Sequence, residues 1–140
     1  MGDLSQAISN YKIGLEFDNN HAPLHSNLGI ALYVQGRMDE AIVHLYKAIE
    51  LDPQPMPKVH NILGISLSRQ GKFQQAAIEL KKYLQIKPDD QVAHNEKGVV
   101  FDHMHHVDLA IKHFLEALRL QTSFVFAPKN VHNRLFRKKT

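Results

Sequence analysis

The sequence predicts an all-α fold, an array of antiparallel helix pairs repeating along the chain. Three observations carry that reading. The stretches HSNLGIALYVQG at 25–36, HNILGISLSRQG at 60–71 and HNEKGVVFDHMH at 94–105 echo one another at spacings of 35 and 34 residues. Apolar residues keep helical spacing within each echo, and no segment alternates with the two-residue period of a strand. Gly36 and Gly71 punctuate the first two units at mid-length, and Pro53 and Pro88 close them. A period of this length marks a repeat array, and it governs how every other feature is read.

Taken in order, the chain opens with a helix over 3–17. Each full unit that follows reads as two helices of about 14 residues. In the first, Leu24, Leu28, Ala31 and Leu32 fall at i, i+4, i+7 and i+8, and Ala41, Leu45, Ala48 and Ile49 repeat that pattern on the partner helix. The second unit places Leu63, Leu67, Ala76 and Leu80 at the same positions, and the third places Lys97, Phe101, Ala110 and Phe114 there. Gly36 and Gly71 stand where the chain must leave one helix and turn. Asp89 or Asp90 is placed to cap the helix that follows.

The small residues have a mechanical role. Gly29, Gly64 and Gly98 on first helices, with Ala41, Ala76 and Ala110 on second helices, let two backbones approach closely. A large residue there would wedge the pair apart, so Gly64→Leu should cost more than the roughly 1–3 kcal/mol of ordinary overpacking. One hairpin cannot bury its apolar face alone, so neighbours stack into a solenoid.

These residues resemble the tetratricopeptide repeat, a 34-residue pattern with Leu-Gly and a large apolar residue on its first helix and Ala, Phe, Ala and Pro on its second. Residues 22–56 match with Leu28, Gly29, Leu32, Ala41, Leu45, Ala48 and Pro53. Residues 57–90 match with Leu63, Gly64, Leu67, Ala76, Leu80 and Pro88, with Tyr83 at a small-residue position. Residues 91–124 match with Gly98, Phe101, Ala110, Phe114 and Ala117, while Lys97, His105 and Thr122 replace leucine, glycine and proline. Residues 2–20 match a second helix only, through Gly2, Ala7 and Tyr11, with Gly14 where alanine is usual.

The resemblance implies a right-handed superhelical solenoid forming a single domain over 1–140. It comprises a half repeat (2–20), three repeats (22–56, 57–90, 91–124), then a capping helix and basic tail over 125–140. That last segment holds Phe124, Phe126, Val131, Leu135 and Phe136 among basic residues, and the other reading of it is the start of a further unit.

Composition narrows the function. The chain has no cysteine, which excludes a disulfide framework, a thiolate zinc site and a thiol nucleophile. No apolar run is long enough to span a membrane, and the first residues lack the basic and apolar regions of a secretory signal, so the expectation is a soluble, cytoplasmic protein. The net charge of +3 is concentrated at the end. Five Lys/Arg lie from Lys129 onward without an acid, which leaves 12 basic and 14 acidic residues before them, a net of −2. A nucleic-acid-binding body would need a clustered basic face, and none is present.

Ten histidines raise the question of a metal. His25, His60 and His94 occupy the same repeat position, so they lie on successive first helices roughly 8–10 Å apart. Zinc ligands must converge at about 2.0–2.1 Å from one ion, which equivalent atoms on stacked repeats do not do. The expectation is that they pack where the family usually carries an aromatic residue. The stretch Asp102-His103-Met104-His105-His106 is the better candidate, with His103, His105 and His106 as its ligands, but the preferred reading is a polar turn. No cofactor is expected. There is no phosphate-binding glycine loop, no G-x-S-x-G and no H-E-x-x-H, so the chain does not read as an enzyme.

The resemblance implies a concave groove lined by first helices that receives a peptide or helix of a partner protein. Carried over by position, its residues are Ser26, Asn27, Ile30 and Tyr33, then Asn61, Ile65, Ser68 and Arg69, then Asn95, Val99 and Asp102. Asparagine suits this role because its amide both donates to and accepts from a peptide backbone. The Lys/Asn/Arg set that clamps acidic chaperone tails is missing, with Ser26, Ile30, Ile62, Val92 and Glu96 at those positions. The expected function is a protein-interaction scaffold. The alternatives are a regulatory or targeting part of a larger protein or enzyme, and a self-assembling oligomer that stacks exposed repeat ends.

Overall fold

The computed structural model describes residues 2–125. Seven helices follow in order: α1 (Gly2–Phe17), α2 (Ala22–Val34), α3 (Met38–Leu51), α4 (Pro57–Arg69), α5 (Phe73–Ile86), α6 (Gln91–His103) and α7 (Val107–Val125). No strand occurs among the described residues. The chain divides into two compact units, Met1–Tyr83 and Leu84–Thr140.

Local signals start the helices. His21 caps α2 by accepting the Leu24 N–H at its Nδ1, and Asp90 caps α6 by accepting the Ala93 N–H. Pro57 opens α4, where a missing N–H costs no hydrogen bond. The turns inside the three hairpins share one geometry. Arg37, Lys72 and His106 donate their N–H back to Leu32, Leu67 and Phe101, closing a loop around a residue of positive φ. That residue is Gly36 at 81°, Gly71 at 78°, and His105 at 62° in the turn that lacks glycine.

In the first unit α1 packs on α2, α2 on α3, and α3 and α2 on α4. Its core holds Ile8 and Leu15 of α1, Leu28 and Leu32 of α2, Leu45 of α3, Leu63 and Leu67 of α4, and Leu80 of α5. The close approach expected at the glycines is present. A Cβ on Gly29 would lie 2.7 Å from Leu45 Cγ, and one on Gly64 would lie 2.8 Å from Leu80 Cγ.

In the second unit α6 pairs with α7, and Ala93, Val100, Ala110 and Ala117 are buried. Two expectations change there. Phe114, aligned with the buried Leu45 and Leu80, is 36% exposed, although its ring still fills the space beside Gly98. The second helix runs 19 residues instead of about 14, because Thr122 stands at the proline position and leaves the helix unbroken. The Thr122 hydroxyl donates to the Leu118 and Arg119 carbonyls. The capping segment expected over 125–140 lies, past Val125, outside the described residues.

Candidate binding face and its histidine pairs

The expected groove residues divide between the two units. Ser26, Asn27, Ile30 and Tyr33 lie on α2, and Asn61, Ile65, Ser68 and Arg69 lie on α4, two helices packed together in the first unit. Asn95, Val99 and Asp102 lie on α6 in the second. Their environments differ. Ser26, Ile65 and Ser68 are buried; Asn27, Ile30, Tyr33, Asn61 and Val99 are half-buried; Arg69, Asn95 and Asp102 are exposed. The Asn61 side-chain oxygen is buried and has no hydrogen-bond partner. Such an acceptor costs about 1–3 kcal/mol unless something donates to it.

The repeat histidines do more than fill an aromatic place. Each meets a residue 19 positions further on, across its own hairpin. His25 Nδ1 lies 3.0 Å from His44 Nδ1, and His94 Nδ1 lies 3.1 Å from His113 Nδ1. His60 Nδ1 lies 2.6 Å from Glu79 Oε2. In the first pair the ring planes differ by 25° and the centroids stand 5.3 Å apart, a separation that sets the rings tip to tip along the N···N line. The second pair is the same, at 24° and 5.4 Å. The far nitrogens are also alike, since His25 Nε2 donates to the Asn19 carbonyl and His94 Nε2 to the Pro88 carbonyl, each at 2.8 Å.

Electrostatics follow from burial and neighbours. Burial pushes the His44 imidazole below the ordinary histidine range, helped by His25 and Lys12 and opposed by Glu40. Burial, then Lys97, His94 and Lys112, push His113 down to about 4 against the opposing pull of Glu116. Lys97 is itself buried, with its ammonium 5.8 Å above the Phe101 ring, and that ring lies 5.6 Å from His113. The aliphatic stem of a lysine can occupy a leucine position while its charge meets a ring face.

The sequence reading missed His44, Glu79 and His113. Their signal was the offset of 19 from each repeat histidine, hidden because the partner changes from histidine to glutamate and back. Among the described residues no three or more His, Cys, Asp or Glu side chains are placed to hold a metal ion. His103, His105 and His106 are therefore not brought together as a ligand set.

Paired helices, glycine-dependent contacts and three equivalent turns define a helical-repeat protein. Residues 22–55 and again 57–90 match the tetratricopeptide repeat. Residues 22–90 are thus two tetratricopeptide repeats, and such repeats make the chain a protein-interaction scaffold in general type. Its fold is similar to the crystal structure of MamA at 27% identity and a TM-score of 0.79, over 88% of this chain and 71% of that one. A second MamA structure aligns at 24% identity and 0.74, over 88% and 67%. MamA from residue 41 onward of Desulfovibrio magneticus RS-1 aligns at 20% identity and 0.78, over 95% and 80%. No curated protein matches by sequence. No helix among the described residues is long and apolar enough to cross a membrane.

Proposed function

We propose that the chain acts without catalysis, binding an extended segment or helix of a partner protein along the first helices of its repeats. Reversible contacts of mixed character suit the residues of each unit, with Ile30 and Tyr33 giving apolar area beside the amides of Asn27 and Asn61 in the first, and Val99 beside Asn95 in the second. The observation that carries this reading is the buried, unpartnered oxygen of Asn61. A turn of the half-buried Asn61 side chain would bring that oxygen to a bound segment, whose backbone N–H would then satisfy it and return the free energy its isolation costs. The test is affinity capture of partners by the intact chain and by the Asn61→Ala, Asn95→Ala double variant. Partners should be lost from the variant while its helical circular dichroism is kept; equal capture by both would refute the assignment.

A second reading has its own observation. Ile13 and Phe17 of α1 are 51% and 87% exposed, an apolar pair on the helix read as half a repeat. Stacking of this helix on another copy would cover them. Light scattering across a range of protein concentrations distinguishes the two, since self-association raises the mass and Phe17→Asp should lower it again.

A further inference from the structure

The proton inventory of the histidine pairs is set by their outer bonds. A carbonyl oxygen only accepts, so Nε2 of His25 and of His94 must carry hydrogen to bond Asn19 and Pro88. In a neutral imidazole that leaves Nδ1 with a lone pair, and the facing Nδ1 of His44 or His113 must then be the donor. One added proton can settle on the outer nitrogen of His44 or His113 without touching the ring-to-ring bond. A second would have to enter the accepting Nδ1, where it would set two N–H groups and two positive charges tip to tip.

We propose that the two histidine pairs are acid-sensitive latches on the α2–α3 and α6–α7 hairpins, each accepting one proton but not two, and that the His60–Glu79 bond exempts the α4–α5 hairpin. The middle pair differs because a charged His60 donates to a carboxylate, so a proton there keeps the bond. The surroundings act in the same direction. Lys12 of α1 faces the first pair, and Glu40 of α3 offsets it while engaged with Arg37. Lys97 of α6 and Lys112 of α7 face the second, and Glu116 of α7 is engaged with Arg119. The arrangement occurs once in each unit, down to the carbonyl six residues before the first-helix histidine.

The sign follows from counting protons. Below the ordinary histidine value of about 6.5, two free histidines of an unfolded chain bind two protons. The folded pair binds one at most, so unfolding takes up at least one proton per pair. Stability is therefore present above about pH 6.5 and lost as pH falls, by a factor that approaches about tenfold per pH unit in each unit's folding equilibrium once pH is well below that value.

The repeats supply their own control. Urea unfolding of the full chain at about pH 7 and about pH 5.5 should show the acid loss, and His44→Glu with His113→Glu, which copies the middle repeat, should remove at least tenfold of it. Glu79→His should add a third latch and deepen the loss. An acid loss unchanged by the His44 and His113 substitutions would overturn the proposal. Should those variants fail to fold, nitrogen-15 NMR of the unaltered chain decides. His25 and His94 should show Nε2–H and their partners Nδ1–H at neutral pH. Full protonation of both rings of a pair at about 6.5 in the folded chain would equally sink it.

Discussion

His60 and Glu79 form a 2.6 Å bond inside the α4–α5 hairpin, 7% and 5% exposed. Two ionisable groups so far from water are stable only as a pair. Glu79 also accepts from Lys82 at 3.3 Å, but that lysine reaches in from the surface and cannot replace the ring. Glu79→Ala should cost about 3 kcal/mol, because it strands His60 in a dry site. His60→Leu combined with Glu79→Leu should cost markedly less than the sum of the single changes. A double-mutant cycle in urea measures the difference, and additive losses would show that the pair does not act as a unit.

What the sequence made legible was the backbone and the apolar frame. Leu28, Leu45, Leu63 and Leu80 recur at fixed positions because every hairpin must bury the same two stripes, and periodicity reports that requirement directly. The hydrogen-bond partners did not recur by type. Position 44 and position 113 hold histidine while position 79 holds glutamate, since a ring nitrogen can be met by either a nitrogen or an oxygen. A search for repeated letters passes over such a substitution; a search for repeated chemistry at an offset of 19 finds it. The 19-residue α7 was visible as a missing proline at Thr122, whereas the back-bonding of that hydroxyl to the Leu118 and Arg119 carbonyls was not. The asparagines were legible as equivalent, but Asn61 is half-buried and Asn95 exposed, a difference that repeat position alone does not carry.

The close-approach glycines should not respond equally to alanine. At Gly29 and Gly64 a new Cβ meets Leu45 and Leu80 at under 3 Å, with backbone atoms of Ala41 and Leu80 just behind at 3.2 and 3.3 Å. Both leucines are fully buried and have nowhere to go. Each substitution should cost about 1–3 kcal/mol. At Gly98 the obstacle is the edge of Phe114, at 2.6 Å, on a side chain open to solvent. That ring can swing outward, so Gly98→Ala should cost less than either of the others. Thermal unfolding of the three variants checks the ranking, and a Gly98 penalty equal to the Gly64 one would contradict it.

The three hairpin turns offer a prediction of opposite sign. Gly36 and Gly71 have open space around a Cβ, so alanine there should lose only the left-handed backbone term of about 1–2 kcal/mol. His105 already bears that strain at φ 62°. His105→Gly should therefore stabilise the second unit by about 0.5–1 kcal/mol after the extra freedom of the unfolded chain is set against it. Urea midpoints for the three variants test this, with losses expected at 36 and 71 and a gain at 105.

Lys97 provides a test of what holds the His113 imidazole neutral. Burial is the first cause and the ammonium of Lys97 the second, and together with His94 and Lys112 they bring His113 down to about 4. A histidine whose folded value is depressed adds stability that is present above its unfolded value of about 6.5 and lost as pH falls toward about 4. Lys97→Met keeps the apolar stem and its contact with Phe101 while removing the charge. The His113 titration followed by NMR should then move upward from about 4 without reaching the ordinary value, since burial remains. The acid loss of stability in the second unit should shrink in step. A midpoint that stays put in Lys97→Met would mean that burial alone holds the ring neutral and that the lysine acts only through packing.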